Sequence, residues 1–90
     1  MQKVNADPEK LKNFAKYLTM RSNELKEKIK KLKIDFNNLS EEWKDPVHER
    51  FKNELLQSTK SLEQFINIST ETSQHLIKKA EILERYLNIR

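Results

Sequence analysis

The chain has 90 residues, a formal net charge of +4, 36% charged residues, and neither glycine nor cysteine. A chain of this length forms one small domain at most, the absence of glycine favours helices over sheets with tight turns, and the absence of cysteine excludes disulfides and cysteine-based zinc sites. No apolar run approaches the roughly 20 residues of a membrane span, and the first residues do not resemble a signal peptide, so we expect no cleaved leader.

The first predicted element is a long helix over residues 8–43. Asp7 and Pro8 open it, because an aspartate caps a helix start and a proline suits the first helical position. Seam residues then recur at alternating steps of four and three, which is the spacing of a helix packed along another helix. This predicted seam consists of Leu11, Ala15, Leu18, Ser22, Leu25, Ile29, Leu32, Phe36, Leu39 and Trp43.

A lysine-rich stretch, residues 24–33, lies within this helix. One interpretation is a patch that binds nucleic acid or an anionic membrane. The other is a solvated helix face stabilised by ion pairs four residues apart, Glu24 with Lys28 and Glu27 with Lys31. No aromatic residue interleaves with the lysines to stack on a base. The solvated face is therefore the favoured interpretation, and nucleic acid is not expected as a partner.

The turn is predicted over residues 43–46, where Trp43 precedes an Asp-Pro pair. Asp45 can accept hydrogen bonds from the first amides of the next helix, and Pro46 suits its first position. The short connection makes the two helices antiparallel neighbours. Trp43 is then either an aromatic plug at one end of the core or an anchor for another protein.

The second predicted helix covers residues 46–89. Its seam consists of Phe51, Leu55, Ser58, Leu62, Phe65, Ser69, Thr72, Leu76 and Leu83, with Ala80 close to it. The predicted fold is all-α, an antiparallel two-helix hairpin forming a single domain over residues 1–90. Within the second helix, residues 67–73 have poor helix propensity, because their side chains compete for backbone hydrogen bonds.

Apolar residues outside the seam indicate a partner. They fall near the open end of the hairpin, where together they would form a larger patch than monomers usually expose. The sequence therefore predicts a homodimer, or a heterodimer with a sister hairpin, that forms a four-helix bundle. The predicted dimer face comprises Phe14, Tyr17, Met20, Ile68, Ile77 and Ile82, with Tyr86 and Ile89 in the same region.

The sequence predicts no catalytic, cofactor-binding or metal-binding residues. Glu71 and His75 are spaced as a surface ion pair more readily than as two metal ligands, and His48 is the only other imidazole. Ser58 and Ser69 on the predicted seam lack a base that could activate them. A chain without glycine has no phosphate-binding loop. We therefore expect no cofactor and a protein that is not an enzyme.

The chain as a whole resembles the WXG family, the early-secreted-antigen-like substrates of type VII secretion systems. The resemblance rests on the Asp-Pro-Glu helix start, the heptad seam, the Trp-Lys-Asp sequence at the turn, and an Arg-Phe pair a fixed step beyond. It implies a bacterial protein made in the cytoplasm, secreted without a cleaved signal peptide, and paired as a homodimer or heterodimer. It also implies a turn that recognises a secretion ATPase or a larger effector through Trp43, Asp45, Pro46, Arg50 and Phe51.

Two positions depart from the family's pattern. Asp45 occupies the place of a glycine, but aspartate tolerates positive φ better than most residues and also caps helices, so we expect the turn to form. Tyr86 matches the tyrosine of the family's C-terminal export signal, whereas Arg90 occupies the place of its acidic residue. Two alternatives follow: a partner chain carries the signal, or the protein stays inside the cell.

Two other functions remain open at this point. Subunits of type III-like secretion needles are also short helical hairpins with a proline-containing turn, and they polymerise. A basic coiled coil that binds nucleic acid would lose its binding steeply as salt rises. The leading hypothesis is a WXG-type hairpin that serves as a substrate of, or an adaptor for, a type VII-like secretion machine.

Overall fold

The computed structural model describes residues 6–88, which form two long helices joined by a short turn. Helix α1 covers Pro8–Leu39 and helix α2 covers Pro46–Asn88. Helix α2 runs back along α1, so the molecule is an elongated hairpin of 68 × 24 × 13 Å. The predicted all-α hairpin is confirmed.

Both helices begin with the predicted aspartate cap, and a proline occupies the first position of each. The Asp7 carboxylate accepts a hydrogen bond from the Glu9 N–H at 2.9 Å. The Asp45 carboxylate accepts one from the His48 N–H at 3.0 Å. Each cap satisfies an amide that has no partner within its helix, which fixes where the helix starts.

Helix α1 ends at Leu39, so its predicted end at residue 43 is wrong. The Ser40 N–H still bonds to the Phe36 carbonyl at 2.9 Å, and the Trp43 N–H bonds to the Leu39 carbonyl at 3.0 Å, but the chain between them forms turns. The Ser40 hydroxyl also donates to the Phe36 carbonyl at 2.8 Å, and such local side-chain bonds compete with regular helix. The predicted end of α2 at residue 89 lies outside the described residues.

The hairpin buries one row of side chains from each helix. In α1 the buried residues are Ala15, Ser22, Ile29 and Phe36, and in α2 they are His48, Leu55, Thr59, Ile66, Ser69, Ser73 and Ala80. All four buried residues of α1 belong to the predicted seam, and they recur at every seventh position. Heptad spacing is what keeps two long helices in contact along their length.

In α2, one row of the predicted seam is wrong by one residue. The buried row contains Thr59, Ile66 and Ser73, whereas the predicted Ser58, Phe65 and Thr72 are exposed. Phe65 and Ile66 are adjacent and both apolar, so two rows with helical spacing overlap in the sequence. Packing against α1 selects the row that contains Ile66.

A second apolar row stays largely exposed along one side of the hairpin, although the sequence had placed it in the seam. Leu32, Leu39, Phe51, Leu62 and Phe65 are all at least 39% exposed. Leu11, Leu18 and Leu25 continue the α1 row and are half-buried. These eight residues are called the leucine face below.

The opposite side of the hairpin carries two ion pairs between the helices. Lys12 bonds to Glu84 and Lys33 bonds to Glu63, each with an N–O distance of 2.8 Å. On α1, each of these lysines lies three positions before a buried residue, Lys12 before Ala15 and Lys33 before Phe36. This places both lysines on one side of the buried row, and the leucine face lies on the other side. The two ion pairs also show which levels of α1 and α2 face each other.

Within the lysine-rich stretch, the ion pairs differ from those predicted. Glu24 bonds to Arg21 at 2.7 Å, and Lys31 bonds to Asp35 at 3.0 Å. The predicted pairs Glu24–Lys28 and Glu27–Lys31 are therefore wrong. All four bonded side chains are about half exposed or more, so these pairs contribute little to stability.

Across residues 6–88, neither helix has a stretch that is long and apolar enough to cross a membrane. In the same described range, no three histidine, cysteine, aspartate or glutamate side chains gather where they could hold a metal ion. The features that remain as candidates for function are the turn and the exposed apolar surface.

Candidate functional site at the turn

Four aromatic rings gather where the turn meets the two helices, with Phe36 at their centre. The His48 ring stacks on Phe36 with centroids 4.9 Å apart, the Phe51 ring lies 5.5 Å away, and the Trp43 ring meets Phe36 edge-on at 6.3 Å. Rings at these separations attract each other beyond the area that they bury. Phe36 is only 8% exposed, so Phe36 closes this end of the core.

Trp43 covers the cluster from outside and is half-buried. Its ring stands nearly perpendicular to that of His48, with centroids 5.0 Å apart. On its other side, Trp43 lines a shallow groove together with Leu32, Leu39 and Phe51 of the leucine face. Trp43 thus contributes to closure and also presents part of its ring to solvent.

Asp45 places a negative charge beside this tryptophan. The hydrogen bond from the His48 N–H, followed by an interaction with the Trp43 side chain, holds the pKa of the Asp45 carboxyl below its ordinary value. The carboxylate is therefore ionised at neutral pH. Pro46 begins α2 directly after it, and Arg50 lies one turn further along as an exposed cation.

The turn also contains a polar contact that the sequence does not predict. The Ser40 hydroxyl oxygen lies 2.7 Å from His48 Nε2 and 2.8 Å from the Phe36 carbonyl oxygen. Because the hydroxyl has one proton and donates it to the carbonyl, the imidazole N–H must donate to the hydroxyl oxygen. No motif signals a pair that joins the two sides of a turn in this way.

A serine bonded to a histidine invites comparison with a nucleophile and its base, but the geometry here is different. The imidazole donates to Ser40 and so does not take its proton, which an activated serine requires. His48 Nδ1 lies 3.6 Å from a Glu49 carboxylate oxygen, too far for a hydrogen bond, and has no hydrogen-bond partner among residues 6–88. The contact ties the end of α1 to the first turn of α2.

The residues of the predicted dimer face do not form one continuous surface. Five of them are more than half exposed: Phe14, Tyr17, Met20, Ile68 and Ile82. Ile77 is half-buried. Phe14 and Tyr17 are in contact, with ring centroids 6.4 Å apart, whereas Met20 lies five positions after the buried Ala15 and so on the outer side of α1.

The two residues of the predicted export signal are only partly covered by the structure. Tyr86 lies near the end of α2 and is 66% exposed. Arg90, which occupies the place of the signal's acidic residue, lies outside the described residues, as does Ile89 of the predicted dimer region. The structure thus presents the tyrosine on the surface of a helix at the open end of the hairpin.

Comparison with known proteins identifies one family. The sequence model for WXG100, proteins of 100 residues with WXG, matches residues 3–86. The chain is similar to the secreted protein EsxB from Bacillus anthracis, with 26% identity, a TM-score of 0.80, and coverage of 98% of this chain and 100% of that one. A proline-to-alanine variant of EsxB gives 26% identity and a TM-score of 0.82 over 94% and 96% of the two chains. No curated protein matches.

Proposed function

The chain belongs to the WXG100 family, and on that premise we propose that it is a non-enzymatic substrate of, or adaptor for, a type VII-like secretion system. The match over residues 3–86 carries this proposal. The likeness to a secreted protein, EsxB, over nearly the full length of both chains supports it. The family favours this function over a needle subunit or a nucleic-acid-binding coiled coil.

The protein acts as a dimer in this proposal. The leucine face supports it, because Leu32, Leu39, Phe51, Leu62 and Phe65 are each 39–53% exposed in the single chain. Covering such a row against a second hairpin would complete a four-helix bundle and bury on the order of 1,200–2,000 Å². Of the predicted dimer face, Phe14 borders this row on α1. Met20 lies on the outer side of α1, and Ile77 lies in the α2 row of Glu63 and Glu84, so these two do not belong to the same surface. A well-folded monomer in light scattering at high micromolar concentration would contradict the dimer.

The turn is the proposed contact with a secretion ATPase or a larger effector. The exposed part of the Trp43 ring, the Asp45 carboxylate and the Arg50 cation lie at one tip of the molecule. A half-buried aromatic ring with charged neighbours is a frequent anchor in protein interfaces. Pro46 and Phe51 hold this tip in place, since one begins α2 and the other packs on Phe36.

The Trp43→Ala substitution tests the proposed role of the turn. Because the ring is half-buried, the loss of unfolding free energy should be smaller than the roughly 3–5 kcal/mol of a fully buried aromatic residue, while partner binding and export should be abolished. Asp7→Ala is the control, since it removes the cap of the other helix and leaves the turn unchanged. Thermal melts, a pull-down with the cognate ATPase and an export assay give the three readouts. A Trp43→Ala protein that is still bound and exported normally would refute the recognition role.

A further inference from the structure

The side of the hairpin away from the leucine face carries an unbalanced positive charge on α1. Two rows of α1 lie on this side, and each repeats every seventh residue: Lys12, Thr19, Lys26 and Lys33 in one, and Lys16, Asn23, Lys30 and Asn37 in the other. These rows contain lysines and no carboxylate. Lys12 and Lys33 pair with glutamates of α2. Among the described residues, the other lysines of the two rows have no carboxylate within ion-pair distance.

A groove runs between the two helices on this side and begins at the turn. Its first part is a cavity of about 230 Å³, whose apolar walls include Phe36, Leu55 and Leu56. Leu56 belongs to the α2 row of Glu63 and Glu84, yet it is 56% exposed. An apolar cavity of about 150 Å³ can hold a molecule as large as benzene. The first part of the groove therefore has room for a leucine-sized side chain.

The polar groups around this cavity leave Lys52 as a cation without a partner. The Thr59 hydroxyl donates to the Leu55 carbonyl at 2.7 Å, and the Ser40 hydroxyl donates to the Phe36 carbonyl at 2.8 Å. Neither hydroxyl proton is therefore free for a ligand. Lys52 lines the same cavity and is exposed, and no carboxylate among residues 6–88 lies within ion-pair distance of it. A ligand with an apolar group beside a negative charge would match both features.

The groove continues from the cavity toward the middle of the hairpin. Its second part is lined by Lys26, Lys30 and Lys33 of α1 and by Glu63 and Asn67 of α2, among others. Lys33 lines both parts, so the two parts are continuous. The carboxylate of Glu63 is bonded to Lys33 at 2.8 Å, and its charge is thus balanced within the protein. The second part therefore attracts negative charge through Lys26 and Lys30.

We propose that this groove binds an acidic peptide segment of a partner protein. An apolar side chain of the segment fills the cavity beside Leu56, and its carboxylates pair with Lys26, Lys30 and Lys52. The groove extends about 16 Å along α1 from Lys26 to Asn37, which about five residues of extended chain can cover. This surface is separate from the turn and from the leucine face, so the proposal goes beyond the proposed function and does not depend on it.

Two other anionic partners fit the groove less well. Membrane surfaces are bound by apolar side chains that enter the bilayer, whereas Phe36 and Leu55 are each only 8% exposed and form the walls of a cavity. Single-stranded nucleic acids stack their bases on accessible rings, and the rings that line this groove, Phe36 and His48, are both buried. A peptide segment can supply an apolar side chain and carboxylates at the spacing that the groove requires.

Fluorescence anisotropy with a labelled synthetic peptide tests the proposal. The probe is a capped peptide with one leucine flanked by glutamates, and the comparison peptide has glutamine in place of every glutamate. The wild type should bind the glutamate peptide at least about tenfold more tightly than the glutamine peptide. Lys26→Glu with Lys30→Glu should weaken binding of the glutamate peptide by at least about tenfold, and Leu56→Ala should weaken it by at least about threefold. Circular dichroism checks that each variant remains helical.

The matched control is Lys10→Glu with Lys78→Glu, which makes the same change in net charge at two exposed sites near the open end. This control should bind the glutamate peptide like the wild type. Equal weakening in the control, or a wild type that does not bind the peptide, would overturn the proposal. Equally tight binding of a DNA oligonucleotide or of phosphatidylglycerol vesicles would also overturn it, since the groove would then attract any polyanion. None of these results bears on the turn, which the Trp43→Ala variant tests separately.

Discussion

The two halves of the hairpin seam are built from side chains of different size. Toward the turn, the buried residues are large apart from Thr59: Ile29, Phe36, His48, Leu55 and Ile66. Toward the open end they are small: Ala15, Ser22, Ser69, Ser73 and Ala80. The large apolar side chains of the open half, such as Phe14, Tyr17 and Ile82, lie outside the seam and are more than half exposed.

The two halves therefore hold the same two helices together in different ways. Large side chains near the turn fill space between the helices and supply most of the apolar area that the hairpin buries alone. Small side chains at the open end allow close approach, which leaves Ala15 and Ala80 fully buried, but they remove little area from water. We infer that the turn half contributes more to the stability of the single hairpin than the open half does.

The largest expected effect lies in the turn half. Phe36→Ala should lower the free energy of unfolding by about 3–5 kcal/mol, because it removes the ring on which His48, Trp43 and Phe51 pack. Ile34→Ala on the same helix, at a side chain that is 50% exposed, is the control and should cost far less. Urea unfolding followed by circular dichroism measures both. Similar losses in the two variants would mean that the aromatic cluster is not the main source of stability.

The next largest effect is expected from a substitution that prevents the close approach of α1 and α2 in the open half. Ala15 is fully buried, so Ala15→Leu would force the helices apart and should cost about 1–3 kcal/mol. Asn13→Leu adds the same side chain at an exposed position of the same helix and should change stability little. If Ala15→Leu stabilised the protein in the same urea assay, the open half would contain unfilled space, and the contrast between the halves would be wrong.

The sequence predicts the hairpin well because its signals are local. The Asp-Pro pairs before α1 and α2 mark helix starts through hydrogen bonds made within three residues. The choice between Phe65 and Ile66 for the seam is not local, because either row has helical spacing. The choice depends on which side of α2 packs against α1. Phe65 is left outside the seam and contributes to the leucine face.

The aromatic site was predicted only in part for the same reason. Trp43, Asp45 and Phe51 stand out in the sequence as a rare ring, a cap and an apolar residue after a turn. Phe36 and His48 do not stand out, since their stacking depends on α1 ending at Leu39 and the chain turning back at once. Whether a residue joins the cluster depends on the geometry of the turn, and residue spacing does not predict that geometry.

A further difference between regions should appear in amide hydrogen exchange. Residues 67–73 combine poor helix propensity with the small buried residues Ser69 and Ser73, whereas residues 51–62 pack near the aromatic cluster. We expect the first stretch to exchange about tenfold faster or more, which corresponds to roughly 1.4 kcal/mol of local stability. Mass spectrometry of exchanged peptides resolves both stretches. Equal protection would contradict the idea that the open half is the weaker one.

Smaller effects are expected where buried hydroxyls lack partners. Among the described residues, the Ser22 and Ser73 hydroxyl oxygens are buried without a hydrogen-bond partner. Replacing both with alanine removes two unsatisfied groups and adds a better helix former, so stability should rise by about 0.5–1 kcal/mol. Ser61→Ala at an exposed site of α2 controls for propensity alone. If the double variant were destabilised in thermal melts, the two hydroxyls would have to be making useful contacts.

The smallest expected effect concerns the charge that caps α2. The pKa of Asp45 is lowered in the folded protein from the ordinary value of 3.8, first by the His48 N–H and then by the Trp43 side chain. A carboxyl whose pKa is lower in the folded protein than in the unfolded chain stabilises the fold at pH values above its unfolded-state pKa. That stabilisation is lost as the pH falls through the folded-state pKa. Asp45→Asn keeps a capping side chain but cannot titrate. The wild type should therefore melt above this variant at pH 7, and the difference should shrink below about pH 4 and vanish at lower pH. A difference in melting temperature that stays constant from pH 7 to acid would show that the Asp45 charge contributes nothing, and that the cap acts through geometry alone.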